Sequence, residues 1–591
     1  MVRIATSQRL VTRWLWCTLV FCLAGCASSA KLPLTSVTGP TPTIPAPSRS
    51  RVPTVNVAKV VGWSGRDHPV ATPGTTVNAF ARKLDHPRWL YVLPNGDVLV
   101  AESNAPERPQ MRTGVRNWLL RMFMHEGGAG DPSANRITLL RDADGDGVAE
   151  MRSVFAKNLN SPFGMALVGN TLYVANTDAV VSFPYTSGQI EIAASPTKIV
   201  DLPAGPINHH WTRGLIANAD GSKLYVSVGS NSDYAERGLD KEIERAAILE
   251  VDPRARTKRI YASGMRNPIG LAWVPGSNDL WTAVNEREEL GGDLPPDYMT
   301  AVKANGFYGW PFSYHGKNLD PRIEPQNPEM VETAITPDYA LGPHTASMGI
   351  AWAGTTTLPS RFHNGMIVTQ HGSWNRIPRS GYRVVFVPFT NGKPTGQPQV
   401  LLTGFLDSDD NAQGRPAGVA IDNRGGVLIA DDAGDVIWRV AGNAPRIVAP
   451  GRALDAPTLL QRYATQVAAA EARGAAPMRA KAEVVERRCV DVTENPNARS
   501  GDFSVAGFSV YASTWHQNQG NLSFKPATSQ AGTRITVRAE NLDRPGTASE
   551  FYAQLSPTAV YPVKMQLPER GNWLITAQAG DSFGCFVYTL R

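Results

Sequence analysis

Between residues 86 and 430, short apolar segments alternate with turns in a pattern that recurs six times. In each copy, a small-residue or Pro/Gly turn leads into an apolar strand, and a second turn leads into another β-rich strand. The copies begin at His86, Ser161, Thr212, Asn267, Ala346 and Arg415. Short alternating segments bounded by turns are typical of strands, so each copy predicts one β-hairpin.

The repetition predicts the architecture of the middle of the chain. One such unit cannot bury both of its faces alone, and six units bury them when they pack round an axis. The chain is therefore predicted to be all-β, with a six-bladed β-propeller over residues 56–450. An array of β-sandwiches is the alternative, and the repeated Gly-apolar step disfavours it.

The regions that flank the repeat differ from it in composition. Residues 27–55 are rich in Ser, Thr and Pro, which is typical of an extended, flexible tether. Residues 451–486 contain an Ala/Glu/Arg-rich run and predict a helical linker. Residues 487–591 contain short alternating segments and predict a small C-terminal β-sandwich-like domain.

The N-terminus has the features of a targeting segment. Basic residues precede the apolar run Trp14–Ala24, which is too short to span a bilayer as a helix. The run ends in Leu23-Ala24-Gly25-Cys26, which resembles a bacterial lipobox and predicts a signal peptide over residues 1–26 with lipidation at Cys26. An ordinary signal peptide or an anchor helix is the alternative. The protein is expected in the cell envelope, lipid-anchored and facing the periplasm, and Ala27 favours the outer membrane.

The charge of the chain bears on whether it binds nucleic acid, and its cysteines bear on whether it forms a disulfide. The net charge of +6 is small for 591 residues, and the basic residues are scattered, so no nucleic-acid partner is predicted. After cleavage and lipidation, Cys489 and Cys585 would be the remaining cysteines. Two cysteines in an exported domain predict a disulfide.

Propeller topology predicts where the chemistry lies. The turn into the innermost strand of every blade faces one mouth of the central channel, so residues far apart in sequence meet there. These residues are His86, Arg88, His209, His210, Arg266, Asn267, His344, Ser347 and Arg415. A concave, basic site that carries imidazoles suits a polycarboxylate ligand and proton abstraction.

Several of these segments resemble a known family. His209-His-Trp-Thr-Arg-Gly-Leu, Gly264-Met-Arg-Asn-Pro-Ile-Gly-Leu, Gly306-Phe-Tyr-Gly-Trp-Pro and Gly414-Arg-Pro-Ala-Gly-Val are similar to segments of soluble pyrroloquinoline-quinone (PQQ) glucose and aldose sugar dehydrogenases. Val284-Asn-Glu-Arg and Leu294-Pro-Pro-Asp-Tyr resemble the L-sorbosone dehydrogenase branch. The resemblance covers roughly residues 75–442 and implies oxidation of an aldose sugar or related aldehyde by hydride transfer to PQQ.

The resemblance implies roles for individual residues. His210 falls on the general base, for which imidazole has a suitable pKa, whereas His209 is interpreted as structural. Arg266 falls on the arginine that stabilises negative charge on the quinone, and Asn267 would bind the same edge. Arg415 falls on a carboxylate-binding arginine. As isolated residues, His210 would be a structural histidine, and Arg266 and Arg415 would be solvated or salt-bridged.

Two further positions are assigned to the cofactor by the same resemblance. His371 and Arg376 lie where the family has a lysine that contacts PQQ, and one of them is expected to replace it. A structural role for both is the alternative. No Cys-x-x-Cys-His haem motif is present, so electrons are expected to pass to a separate acceptor.

Two segments are candidate Ca²⁺ sites. The resemblance places Ca²⁺ beside PQQ on the backbone carbonyls of Arg287 and Glu288, although this acidic run could equally be a solvated loop. Independently, Asp142, Asp144 and Asp146 alternate with Ala and Gly as in Ca²⁺-binding loops. That segment is also consistent with a tight hairpin that binds no metal.

The sequence also departs from the family pattern, and this keeps two other functions open. Ser230 stands where a carboxylate assists the base, Ala417 replaces a second carboxylate-binding arginine, and the family glutamine falls around Pro162 and Phe163. One alternative is a non-catalytic, envelope-anchored binding propeller, which these losses favour. The other is a Ca²⁺-dependent lactonase-like hydrolase, against which the His and Arg content of the mouth argues.

Overall fold

The chain folds into two compact units, Met1–Pro445 and Arg446–Arg591. A computed structural model describes residues 29–48, 54–65, 67–107, 127–128, 130–277 and 279–442 in the first unit. In the second unit it describes residues 490–491, 503–505, 508–516, 519–526, 534–541, 548–556, 560–568, 570–579 and 582–590. The described part is all-β.

The described part of the first unit contains six antiparallel sheets of four or more strands, which follow one another along the chain, and one two-stranded sheet. Sheet 1 consists of Pro87–Val92, Val98–Glu102, Arg136–Arg141 and Met151–Ala156. Sheet 2 consists of Met165–Val168, Thr171–Ala175, Ala179–Pro184 and Thr197–Asp201. Sheet 3 consists of Leu215–Ala217, Leu224–Val228, Ala247–Asp252 and Thr257–Ser263. The first two strands of each sheet are one of the predicted hairpins.

The other three sheets follow the same plan with additions. Sheet 4 consists of Pro268–Trp273, Leu280–Val284, Pro296–Ala301 and Tyr339–Pro343. Sheet 5 consists of Ser347–Trp352, Gly365–Gln370, Arg383–Thr390, Gln399–Thr403 and the N-terminal Val70–Ala71, with Lys393–Pro394 on its third strand. Sheet 6 consists of Pro416–Ile421, Val427–Asp431, Val436–Gly442 and the N-terminal Thr75–Arg82. All six predicted hairpins are therefore present.

Short elements lie between these strands. Ser313–Tyr314 pairs with Asn318–Leu319. The α-helix Pro328–Glu332 begins at Asn327, whose side chain accepts a hydrogen bond from the Met330 amide. The 3₁₀ turns are Leu34–Val37, Leu239–Glu242 and Ser360–Phe362.

The first strands of sheets 1 to 6 contact one another in cyclic order, and sheet 6 contacts sheet 1. Glycines of the repeat allow this approach. A Cβ on Gly214 would lie 2.2 Å from the carbonyl oxygen of Ile269, and one on Gly418 would lie 2.7 Å from that of Arg88. Sheet 1 has Trp89 instead of glycine, and its ring packs 4.6 Å from the Phe163 ring of sheet 2.

Because neighbouring strands are antiparallel, each loop of these sheets lies at one of the two ends of the strands. The chain enters every first strand at one end, and the loop that follows every second strand lies at the same end because the two strands are antiparallel. We call it the histidine end, since His86, His210 and His344 precede first strands there. Loops such as 93–97 and 422–426 lie at the opposite end.

Residues 29–48 differ from the predicted flexible tether. Their backbone bonds to the sheets, as in the Ala30 amide to the Ile377 carbonyl and the bridge between Gly39 and Ala340. Val37 is buried, and Ile44 packs on the buried Leu290. The tether prediction is therefore wrong over residues 29–48, because isolated apolar residues with no period still find partners on the sheets.

The second unit contains two sheets with a common core. One consists of Val490–Asp491, Ser582–Leu590, Gly571–Ala579, Arg534–Asn541 and Ala548–Gln554, and the other of Phe503–Val505, Phe508–His516, Gln519–Pro526 and Tyr561–Gln566. Buried side chains of both sheets, including Trp573 and Phe524, pack together. The predicted linker 451–486, Cys26 and Cys489 lie outside the described residues, as does the side chain of Cys585. Within the described residues, no helix is long and apolar enough to span a bilayer.

Candidate functional site

His210 lies in the loop before sheet 3, and the backbone sets its tautomer. Its Nδ1 lies 2.7 Å from the carbonyl oxygen of Ser230, to which its amide also donates at 3.4 Å. Because a carbonyl only accepts, Nδ1 carries the hydrogen, and in the neutral ring the lone pair is on Nε2. The His210 ring is thus oriented by the carbonyl of Ser230, the residue that stands where the resemblance places a carboxylate. The His209 ring packs edge-on against it at 4.6 Å.

Arg266 and Asn267 lie beside His210 at the start of sheet 4. The Ser230 amide donates to the Arg266 carbonyl at 2.7 Å. The Arg266 guanidinium donates to the Glu286 carbonyl at 2.6 Å and to Asp233 Oδ1 at 2.8 Å. Burial raises the pKa of Asp233 to about 6 against the opposing charge of Arg266. Arg266 thus places a positive charge near His210, because both residues bond to the backbone of Ser230.

The approach between His210 and Asn267 requires a glycine in the following loop. A Cβ on Gly229 would lie 2.2 Å from Asn267 Oδ1 and 2.5 Å from His210 Cβ. Any other residue would push the two side chains apart. Gly229 is therefore part of the arrangement of this site.

Further round the histidine end, Glu288 and His344 form an ion pair that is largely buried. His344 Nδ1 lies 2.8 Å from Glu288 Oε2, and Nε2 lies 2.9 Å from the Gly291 carbonyl. Both neighbours only accept, so both nitrogens carry hydrogen and the ring is an imidazolium. Burial opposes both charges. The hydrogen bond between the two side chains nevertheless raises the pKa of His344 and lowers that of Glu288 to about 2. Asn375 also donates to Glu288.

Replacing His344 should destabilise the protein in a pH-dependent way. The Glu288 contribution is present above its ordinary pKa of 4.5 and is lost as the pH falls towards 2. The His344 contribution is complete below its ordinary pKa of 6.5 and is lost as the pH rises through its raised pKa. We expect His344→Asn to lower the free energy of unfolding by about 3 kcal/mol between these limits and by less at high pH.

Denaturant unfolding at a series of pH values measures this effect. Asn suits the positive φ of 56° at position 344, so backbone strain does not account for the loss. His363→Asn is the control, because His363 bonds only to a carbonyl, that of Leu358, among the described residues. An effect of His344→Asn that does not vary with pH would contradict the ion pair.

Asp432 joins the side chains of sheets 1, 5 and 6. It accepts hydrogen bonds from Arg88 and, at 2.9 Å, from His371 Nε2. Burial opposes its charge, but His371 and Arg88 hold its pKa well below the ordinary value. Burial also lowers the pKa of His371 to about 4, and the charges of Arg415 and Arg88 add to this effect. The Arg88 guanidinium lies 5.6 Å from the centre of the Trp211 ring.

These contacts form a closed path round the histidine end. The His371 amide donates to Ala346, two residues from His344, and the Glu288 amide donates to Asp233 at 3.0 Å. Trp211 follows His210 and meets Arg88, which completes the path. Sheet 2 joins it through the Thr177 hydroxyl, which donates to the Trp211 carbonyl. The structure thus brings His210, Arg266, Asn267, His371 and Arg415 to one end of the unit.

The site contains polar atoms that no described residue satisfies. Among the described residues, these buried atoms have no hydrogen-bond partner: Nε of Arg88, Arg266 and Arg415, and Oδ1 of Asn267 and Asn375. Buried polar groups are normally paired, so several unpaired atoms at one end make it the candidate site for a polar ligand. Three guanidinium donors favour an anionic ligand with several oxygens.

The side chains of two predicted site residues, Arg376 and Arg287, make structural contacts. Arg376 donates to the Gly292 carbonyl at 2.8 Å and the Pro378 carbonyl at 2.8 Å. The Arg287 side chain is fully buried between Glu286 and Asp320. The carbonyl of Glu288, a predicted Ca²⁺ ligand, accepts a hydrogen bond from Arg322 at 2.8 Å. A guanidinium there leaves a poor fit for a second cation.

The acidic loop 142–150 lies at the opposite end, away from His210. One carboxylate oxygen from each of Asp142, Asp144, Asp146 and Glu150 lies within 4.8 Å of the others. Asp142 accepts from the Gly145 and Gly147 amides and from Arg424 of sheet 6. Arg424 already occupies one oxygen of Asp142, and a Ca²⁺ bound by the remaining hard oxygens would be distant from any ligand at the histidine end.

Sequence reasoning missed the acidic half of the site. Asp432, Asp233 and the side chain of Glu288 hold the cations in place, and none was assigned that role. Each follows the second strand of a repeat by one to five residues. Since these loops lie at the same end as the loops that precede first strands, hairpin topology could have identified them.

The TrAA12-like family model matches residues 133–304 and 319–443, which together are about half of the chain. The chain belongs to the TrAA12-like family. The match covers most of the described first unit, including His210, Arg266, Glu288 and Asp432.

Relatives of this TrAA12-like chain are distant in sequence. An uncharacterized protein of Borreliella burgdorferi is 26% identical over 309 residues, which are 50% of this chain and 79% of that protein. The aldose sugar dehydrogenase of Escherichia coli is 25% identical over 171 residues, which are 27% of this chain and 44% of that protein.

Solved structures of similar fold cover about two thirds of the chain. The holo form of the pyranose dehydrogenase PQQ domain of Coprinopsis cinerea has a TM-score of 0.50 and 18% identity, covering 65% of this chain and 100% of that one. The calcium structure of a family AA12 carbohydrate-active enzyme of Trichoderma reesei has a TM-score of 0.51 and 17% identity, covering 66% and 99%. At these identities the likeness concerns the fold.

Proposed function

We propose that sheets 1 to 6 are the blades of one six-bladed β-propeller, which binds PQQ at its histidine end and oxidises an aldose sugar or related aldehyde. The observation that carries this proposal is the closed path of contacts through His210, Arg266, Glu288, His371, Asp432 and Arg88, with unpaired guanidinium atoms round it. The solved PQQ domain of similar fold and the aldose sugar dehydrogenase relative support it.

The residues present fit a planar polycarboxylate. Arg88, Arg266 and Arg415 would hold its carboxylates through their guanidinium groups. When bound, PQQ supplies a quinone that accepts a hydride from the substrate carbon. A separate acceptor would then take the electrons.

A side chain of the protein itself would accept the proton that leaves the substrate hydroxyl. His210 Nε2 would take the proton from the substrate hydroxyl, while the Ser230 carbonyl holds Nδ1–H and stabilises the imidazolium that forms. Arg266, anchored by Asp233 and the Glu286 carbonyl, keeps its positive charge next to this site. Burial of Arg266 strengthens its field, because little water screens it.

Dye reduction tests the proposed activity. Purified protein is titrated with PQQ, and reduction of an artificial electron acceptor is followed with a panel of aldoses and aldehydes. We expect saturable, PQQ-dependent reduction with at least one sugar. PQQ binding without reduction of the dye by any substrate would favour a non-catalytic binding propeller, and the absence of PQQ binding would refute the proposal. Hydrolysis of a lactone panel would favour the lactonase alternative, which the pairing of Asp233, Glu288 and Asp432 with Arg and His disfavours.

We also propose a structural Ca²⁺ at the loop 142–150. Ca²⁺ should raise the Tm of the protein by a few degrees, because an ion that binds only the folded state stabilises it. Asp144→Asn/Asp146→Asn should abolish the rise, whereas Asp220→Asn in a loop of sheet 3 should retain it. Thermal unfolding with Ca²⁺ or a chelator measures this, and an unchanged Tm would contradict the site.

The remaining proposals concern export and domain organisation. We propose a signal peptide over residues 1–26, a lipid on Cys26 that anchors the protein in the envelope, a linker over residues 451–486, and a disulfide between Cys489 and Cys585 in a small β-sandwich. Intact-mass and peptide analysis of protein from membranes tests each of these. Unmodified Cys26 or two free thiols would refute the corresponding proposal.

A further inference from the structure

The guanidinium of Arg322, a residue outside the loop Asn285–Asp293, lies against the backbone of that loop. Arg322 Nη1 donates to the Glu288 carbonyl at 2.8 Å, in the place where a metal was predicted. The Arg322 side chain is only 7% exposed. A guanidinium at a carbonyl oxygen repels a second cation and leaves that oxygen with one lone pair fewer.

Arg322 is held by two acids and an aromatic ring. Its Nε and Nη2 donate to Asp320 at 2.9 Å and 2.7 Å, and Nη1 also lies 3.3 Å from Asp233. Its guanidinium lies 4.2 Å from the centre of the Tyr234 ring. Burial would lower its pKa, but the hydrogen bonds to Asp320 raise it, so Arg322 stays charged.

The same acids connect Arg322 to the rest of the site. Asp233 also accepts from Arg266 and from the Glu288 amide, so Arg322 acts on the position of both. Asp320 also accepts from Arg287, which donates to the Pro311 and Ser313 carbonyls. The loop beside His344 is thus fixed by two buried arginines.

We infer that Arg322 is an internal cation that takes the place of a divalent metal at the Glu288 carbonyl, so that PQQ binds at the histidine end without Ca²⁺ there. This inference rests on the proposed function. Arg322 acts as a positioning residue, because it reaches the site through Asp233 and the backbone of Glu288.

Equilibrium binding of PQQ with and without Ca²⁺ tests the inference. The experiment uses the full chain carrying Asp144→Asn/Asp146→Asn, which removes the other candidate Ca²⁺ loop. Quenching of tryptophan fluorescence reports the Kd in chelator and in excess Ca²⁺. We expect the two Kd values to agree. A Kd that chelator weakens by about tenfold or more would overturn the inference while leaving the proposed function intact.

Substitution of Arg322 gives the second arm. In the same background, Arg322→Met should weaken PQQ binding by about tenfold or more in chelator, since a charge-assisted bond to the loop is lost. Excess Ca²⁺ should restore part of this loss, because the Glu288 carbonyl then has no guanidinium bonded to it, and Asp233 and Asp320 each lose one of their two. The control is Arg259→Met, which removes an arginine paired with Glu250 at the edge of sheet 3.

The outcomes separate the two proposals. An unchanged Kd in Arg322→Met would overturn the role of Arg322, and so would a loss equal to that of Arg259→Met. If Arg322→Met does not fold, the comparison of chelator with Ca²⁺ in the parent protein still decides. Failure of PQQ to bind under every condition would refute the proposed function itself.

Discussion

His210→Ala should lower kcat for sugar oxidation by about 10²–10⁴-fold, while PQQ binds with nearly unchanged affinity. The loss follows from the geometry of the ring. The Ser230 carbonyl holds Nδ1–H at 2.7 Å, so the basic lone pair is on Nε2, and alanine offers no base in its place. PQQ affinity should persist because we propose that Arg88, Arg266 and Arg415 hold the anionic ligand. Arg266 is anchored by Asp233 and the Glu286 carbonyl, Arg88 by Asp432, and Arg415 by Tyr382.

Steady-state kinetics and PQQ titration on the same preparation measure the two effects separately. His209→Ala is the matched control, because His209 is the neighbouring histidine and was interpreted as structural. It should lower kcat far less than His210→Ala. Wild-type turnover in His210→Ala would refute its role as the base, and a parallel loss of PQQ binding would show that it holds the ligand instead.

Asp432→Asn should lower the free energy of unfolding of the PQQ-free protein by about 3–5 kcal/mol. The carboxylate is almost fully buried and accepts from Arg88 and His371, with His86 at 3.8 Å. Removing its charge leaves the Arg88 guanidinium buried without a counter-charge, and Arg415 adds to the same positive potential. Asn keeps the size of the side chain, so a cavity does not account for the loss.

PQQ should reverse part of this destabilisation. An anionic ligand at the histidine end supplies negative charge beside Arg88, so it should raise the Tm of Asp432→Asn by more than it raises that of the wild type. Asp422→Asn is the control, because Asp422 pairs with Arg439 at the opposite end. Equal PQQ-induced rises in the Tm of Asp432→Asn and Asp422→Asn would contradict this account of the charges. An unchanged free energy of unfolding of Asp432→Asn would contradict it as well.

The repeated hairpins could be predicted from sequence because their cause is local. The glycine of the repeat recurs since the first strands approach the backbone of the next sheet, as Gly214 approaches Ile269. The basic half of the site followed from the same pattern, because His210, Arg266 and Arg415 lie one to five residues before first strands. Their common end is a consequence of antiparallel pairing.

The acidic half could not be assigned from residue types alone. An acidic residue after a strand is usually solvated, and only the structure shows that Asp432 and Glu288 are buried against cations from other sheets. The packing of residues 29–48 was missed for a related reason. Val37 and Ile44 are single apolar residues without a period, and their partners lie more than two hundred residues away in sequence.

A crystal structure of the protein soaked with PQQ tests the central claim most directly, namely that six distant turns build one PQQ site. We expect density for the quinone at the histidine end, in contact with Arg88, Arg266 or Arg415 and beside His210. Density for PQQ elsewhere on the molecule, or an unoccupied histidine end at saturating PQQ, would contradict the claim.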